Sequence, residues 1–165
     1  MPLLRPEKIF HRVTDITPEY LKSIGVKGLA LDADNTLSTH HSQPPLENVE
    51  EWLAQMVAAG IKLQMVSNSK DGRCRPFAER LGLEYTCVAC KPLPFGFWRA
   101  RRKMGLKGRE FAAVGDQLFT DMLGANLAGV TPLLVEPILL ENGWSFKVRR
   151  RLEAPLLRRY RGEGR

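Results

Sequence analysis

A chain of 165 residues, 44% hydrophobic and 26% charged, can bury one substantial core, and its composition excludes fibrous and intrinsically disordered classes. Its longest uncharged apolar runs fall far short of a membrane span, and Met1-Pro2-Leu3-Leu4-Arg5 opens no secretion signal, so the expected location is the cytoplasm. The net charge of +7 is lopsided: residues 144–165 hold eight Lys or Arg against two Glu, and a second cationic block runs through Arg99, Arg101, Arg102, Lys103, Lys107 and Arg109. Such stretches are either solvated helix faces or contacts for anionic partners, whether nucleic acid, acidic lipid or a phosphorylated substrate.

In chain order, the first strand is expected at residues 27–31. Leu46, Val49, Trp52, Leu53, Met56 and Val57 then recur at helical spacing, between Pro45 and Gly60. A second strand at 62–66 ends in Ser67-Asn68-Ser69. The next helix is expected from about residue 73 to Gly82, with Pro76 tolerable only in its first turn. A strand at 85–88 leads into Cys90-Lys91-Pro92, and Phe97, Ala100 and Met104 mark one face of the following helix. A strand at 111–114 ends in Gly115-Asp116, a helix covers 119–127, and a strand covers 131–135. Pro155 is expected to interrupt the basic helical segment at 144–161.

This alternation predicts an α/β fold: three layers, Rossmann-like, with a central parallel sheet of about five strands and helices on both faces. One domain is expected over 1–165, with its core at about 20–137. Cys74, Cys87 and Cys90 suggest no disulfide framework. Cys87-Val88-Ala89-Cys90 has zinc-knuckle spacing, but no second pair follows, so small buried residues beside a strand end are the expectation.

The polar clusters all fall just after strands, at the edge where parallel sheets bind ligands. In Asp32-Ala33-Asp34-Asn35-Thr36, two carboxylates follow the apolar run Gly28-Leu29-Ala30-Leu31 directly. At about 4 Å and an effective dielectric near 20, such a like-charge pair costs roughly 4 kcal/mol. A divalent metal with a phosphate ligand offsets that cost. Singly, each cluster has a plain structural explanation: Ser67-Asn68-Ser69 as a helix cap, Lys91 as a loop lysine, Gly115-Asp116 as a turn. One cap explains one acid and not several.

Asp32-Ala33-Asp34-Asn35-Thr36, Ser67-Asn68, Lys91-Pro92 and Gly115-Asp116-Gln117-Leu118-Phe119-Thr120-Asp121 occur in that order. The set resembles the four motifs of the haloacid dehalogenase superfamily of phosphatases. Together with Asp15-Ile16-Thr17-Pro18-Glu19 and Gly124-Ala125-Asn126, it looks like the YqeG-type branch of subclass IIIA, related to phosphatidylglycerophosphate phosphatases. The likeness covers most of residues 9–150.

The resemblance implies a haloacid-dehalogenase-like fold and a Mg²⁺-dependent phosphomonoesterase. Asp32 is then the nucleophile that forms an aspartyl-phosphate, and Asp34 the acid and base for leaving group and water. Mg²⁺ would be held by the Asp32 carboxylate, the Asp34 backbone carbonyl and Asp116, with Asp121 orienting that shell. Ser67 and Lys91 would bind the transferring phosphoryl group. Asn68, His40 and His41 are candidate phosphate or substrate contacts, and Thr36 is expected to satisfy backbone in its turn. Only about ten residues separate Thr36 from the first helix, leaving no room for a sizeable cap. The site is therefore expected to be open and suited to a bulky substrate, with phosphatidylglycerophosphate the best single choice.

The basic C-terminal segment interleaves Trp144, Phe146, Val148, Leu152, Leu156, Leu157 and Tyr160 with its cations. It is read either as packing on the core or as peripheral contact with an anionic membrane. A homo-oligomer covering the site is compatible with the sequence. The alternatives are a phosphatase of another bulky or soluble substrate, or a nucleic-acid or ribosome-associated protein with a vestigial site. No aromatic-basic RNA motif supports the last.

Overall fold

Gly28–Leu31 is buried along its whole length, the mark of a strand covered by helices on either face. It is β2 of a six-stranded sheet in the computed structural model, which describes residues 2–39, 44–138 and 144–163. The other strands are β1 (Lys8–Phe10), β3 (Lys62–Val66), β4 (Glu84–Thr86), β5 (Phe111–Gly115) and β6 (Thr131–Val135). All pair in parallel, in the order β1-β6-β5-β2-β3-β4. The helices are α1 (Pro18–Ser23), α2 (Val49–Ala58), α3 (Asp71–Arg80), α4 (Phe95–Lys103), α5 (Leu123–Ala128) and α6 (Trp144–Glu163).

The period-two geometry of strands divides the core in two. Leu29, Leu31, Met65, Ala112 and Val114 face Trp52, Met56 and Phe77 on α2 and α3. Ala30, Val66, Phe111 and Ala113 face Phe97, Ala100 and Ala125 on α4 and α5. From β2 the chain steps outward through β3 to β4, then returns to β5 on the other side of β2. The connections leaving β2 and β5 thus diverge and open a crevice at their carboxyl ends.

The sheet has six strands rather than about five. The added edge strand, β1, has only Phe10 buried and so carries no apolar run to announce it; pairing with β6 holds it. β4 stops at Thr86 instead of running to 88, since Val88 and Cys90 take φ of 49° and 56°. The expected helix at 119–127 begins as a π-type turn, Leu118–Met122, that passes into α5.

Both proline expectations are corrected. Pro76 lies in the second turn of α3, inside the helix; burial of Cys74, Phe77 and Ala78 offsets the missing backbone bond. Pro155 does not break α6, which continues for 20 residues. Leu156, Leu157 and Tyr160 pack beneath it against Leu118, Met122 and Leu134 and hold the helix together.

The cysteine reading is also corrected. Cys74 on α3 and Cys87 after β4 form a disulfide, with Cα atoms 5.9 Å apart, while Cys90 is free and exposed. The pairing joins two packed elements, a proximity that residue spacing does not reveal. Among the described residues, no helix is long and apolar enough to cross a membrane.

Candidate active site

The ladder between β2 and β5 continues one residue past β2: the Asp32 amide donates to the Val114 carbonyl at 2.9 Å. Asp32 therefore stands at the open end of the crevice with only 9% of its surface exposed. The chain then turns tightly. Leu37 and Ser38 amides both donate to the Ala33 carbonyl, and Asn35 adopts a left-handed φ of 58°. Asn tolerates that conformation better than most residues. Thr36, expected to satisfy backbone here, instead has a buried Oγ1 without a hydrogen-bond partner among the described residues.

Asp34 turns its carboxylate to Arg73 at the start of α3, and the Ser69 hydroxyl donates to it at 3.3 Å. Ser67 extends β3, donating from its amide to Thr86 at 3.0 Å, and its Oγ accepts from the Ser69 amide at 3.1 Å. The hydroxyl thus serves partly as a turn cap. Asn68 clamps the lysine loop: Nδ2 donates to the Lys91 carbonyl at 3.0 Å, and Oδ1 accepts from the Lys91 amide at 2.7 Å. Asn68, expected to contact substrate, grips Lys91 with both ends of its amide while also lining the cavity, with one Nδ2 N–H beyond those two bonds.

Held in this way, the Lys91 ammonium donates to Asp32 Oδ1 at 2.6 Å and to Asp121 Oδ1 at 2.7 Å. Asp121 reaches it from the π-type turn and also accepts from the Gln117 amide at 3.2 Å. Asp116 follows β5 and is paired with Arg150 of α6. Oxygens of Asp32, Asp116 and Asp121 lie within 4.8 Å of one another. Asp116 Oδ1 is buried and has no hydrogen-bond partner among the described residues. Three clustered carboxylates, one of them with a buried oxygen that has no hydrogen-bond partner, suit a hard divalent cation such as Mg²⁺.

Burial is the main influence on Asp32, whose carboxyl is lifted to about 7; the Lys91 ammonium opposes this, while Asp121 and Asp34 add to it. Burial likewise raises Asp116 well above the carboxylate range, against the pull of Arg150. For Lys91, burial works against the charge, but Asp121 and Asp32 outweigh it and raise the pKa. Without a metal the acids resist full ionisation; a bound cation would relieve that.

Asp32, Asp34, Ser67, Asn68, Lys91 and Asp121 share the wall of one cavity of about 540 Å³, with Asp116 buried behind. His40 and His41 lie outside the described residues. Arg73 and Arg149, which also line the cavity, and Arg150 escaped the sequence reading. Nothing in a run of three arginines says that two of them turn inward. Glu153 was missed too: it is fully buried and accepts from the Leu118 amide at 2.9 Å.

The model of the haloacid dehalogenase-like hydrolase family matches residues 17–129. A Bacillus subtilis protein described as "Probable phosphatase YqeG" is 36% identical over 159 residues, covering 96% of this chain and 92% of that protein. The phosphatidylglycerophosphate phosphatase 1 of Arabidopsis thaliana, chloroplastic and mitochondrial, is 29% identical over 159 residues, covering 88% of this chain and 45% of that protein. Among solved structures, a protein from Legionella pneumophila described as a subfamily III A hydrolase of the same superfamily superposes with a TM-score of 0.50 at 22% identity. That superposition covers 64% of this chain and 62% of the other.

Proposed function

The chain belongs to the haloacid dehalogenase-like hydrolase family and is a phosphatase, and on that premise we propose that it hydrolyses phosphomonoesters through an aspartyl-phosphate on Asp32 with Mg²⁺ as its metal. The observation that carries this reading is the Lys91 ammonium bridging Asp32 and Asp121 beside buried Asp116. It brings together a nucleophilic oxygen, a cation for the phosphoryl group and a set of metal donors.

Asp32, Asp116, Asp121 and the Asp34 backbone carbonyl would hold Mg²⁺. Bound there, Mg²⁺ neutralises phosphate charge that would otherwise repel an attacking carboxylate. One Asp32 oxygen bonds to phosphorus as the bond from phosphorus to the ester oxygen breaks, and that oxygen takes a proton from Asp34. Water then attacks the same phosphorus and gives its proton to Asp34. The bond from phosphorus to the Asp32 oxygen breaks, releasing phosphate and restoring the carboxylate. For Asp34 to carry the proton, its pair with Arg73 must open. Arg73 lines the same cavity, so an arriving phosphate offers the guanidinium an alternative partner. Lys91, and Ser67 through its hydroxyl, steady the transferring group.

The proposed substrate is phosphatidylglycerophosphate, met at an anionic membrane. The name of the Arabidopsis relative supports this, and so does the outer face of α6. Trp144, Val148 and Leu152 are exposed at helical spacing, flanked by exposed Lys147, Arg151 and Arg158. Each cation near an anionic surface contributes about 1 kcal/mol. A panel of lipid, sugar, nucleotide and peptide phosphates, compared by kcat/KM in Mg²⁺ buffer, tests the reading, with the lipid expected to lead. Salt-sensitive RNA binding without hydrolysis of p-nitrophenyl phosphate would replace it with the vestigial-site alternative.

A further inference from the structure

We infer that Arg150, on α6 beyond the residues matched by the family model, is a positioning residue that sets the orientation of the Asp116 carboxylate for the metal. The inference rests on the metal reading above. Arg150 grips Asp116 twice, through Nη2 to Oδ2 and through Nη1 to the backbone carbonyl at 2.8 Å. The same Nη1 donates to Glu153 Oε2 at 3.0 Å. Glu153 Oε1 in turn accepts from the Leu118 amide at 2.9 Å, the first residue of the turn that carries Asp121. One buried relay therefore ties Asp116 to the element that presents Asp121.

The relay is well shielded. Asp116 and Glu153 side chains are 0% exposed and that of Arg150 is 17% exposed. A carboxylate held at Oδ2 by a guanidinium cannot swing freely; its Oδ1 is buried without a hydrogen-bond partner, and one of its oxygens lies within 4.8 Å of oxygens of Asp32 and Asp121. The three acids face two cations, Lys91 and Arg150, which leaves the cluster short of positive charge. Arg150 thus fixes the acid without neutralising the site. Only a planar fork can reach the carboxylate, the carbonyl and Glu153 at once; the single ammonium of lysine cannot. Support of this kind for a metal ligand is commonly worth about 10- to 100-fold in metal affinity.

Calorimetric titration of the full chain with Mg²⁺ alone tests this, with circular dichroism as the folding check. Arg150→Met and Arg150→Lys are both expected to weaken Mg²⁺ binding by about 10- to 100-fold. Turnover of p-nitrophenyl phosphate by either should fall at low Mg²⁺ and recover as Mg²⁺ is raised, a response that mere loss of structure would not give. Arg161→Met, which removes a surface pair with Glu136 on the same helix, should leave the titration unchanged. Parental Mg²⁺ affinity in folded Arg150→Met, or in Arg150→Lys should the Met variant not fold, overturns the orienting role and leaves the metal reading standing. Absence of Mg²⁺ binding by the parent chain overturns both.

Discussion

Gly115 leaves room for the Asp121 side chain: a Cβ added at Gly115 would overlap Cγ and Oδ2 of Asp121. The end of β5 must be bare for the π-type turn to fold its acid back towards Lys91. Gly115→Ala is therefore expected to displace Asp121 with little effect on the sheet. A shift of about 1 Å at a reacting centre lowers turnover by roughly 10²-fold. Steady-state kinetics beside circular dichroism would check this, and parental kcat in the variant would refute it.

Asn68 exchanges two hydrogen bonds with the Lys91 backbone. Asn68→Ala leaves both peptide groups without that partner, at about 1 kcal/mol for each bond. The urea midpoint should fall, and kcat should fall with it as Lys91 loosens. A variant as stable and active as the parent would show that the clamp contributes nothing.

Burial lifts Asp32 to about 7, well above its ordinary 3.8. Between those values the native state binds a proton that the unfolded chain has released. Stability from this group is thus fully present below the unfolded value and declines as the pH rises to about 7. In EDTA, the Tm of Asp32→Asn relative to the parent should rise as the pH is raised from about 5 to about 8. The same substitution should abolish phosphatase activity. Melting curves across that pH range decide the matter, and a variant Tm that falls relative to the parent as the pH rises would contradict the sign.

Cys74 and Cys87 are separated by 13 positions. Closing a loop of that size stabilises the folded state by about 3 kcal/mol in the chain-entropy picture. Reduction should lower the urea midpoint of the parent but not of a Cys74→Ala/Cys87→Ala variant. Cys90→Ser, at an exposed free thiol, should respond to reductant as the parent does. Identical midpoints for the parent with and without reductant would show that the bond contributes no stability.

The central strands were legible because their apolar runs sit between turn residues; 62–66 and 131–135 match β3 and β6 residue for residue. β1 was not, since an edge strand with one buried residue leaves little periodic pattern. The disulfide was hidden for a different reason: Cys74 and Cys87 become neighbours only when α3 packs beside β4.

Residue types in order, acids after strands and a lysine before a proline, were enough to identify the family and the residues of one crevice. Those features are local, and a parallel sheet carries the ends of its strands to a common edge. Which partner each charge takes was decided only by tertiary packing. Arg73 goes to Asp34, Arg150 to Asp116, and Lys91 lies between two acids. For α6 the helical pattern was visible, but its division into an inner face of Arg150, Glu153 and Leu157 and an outer face of Trp144 and Leu152 was not. Charge and hydropathy along a chain do not say which side of a helix meets the protein; the surface against which it docks does.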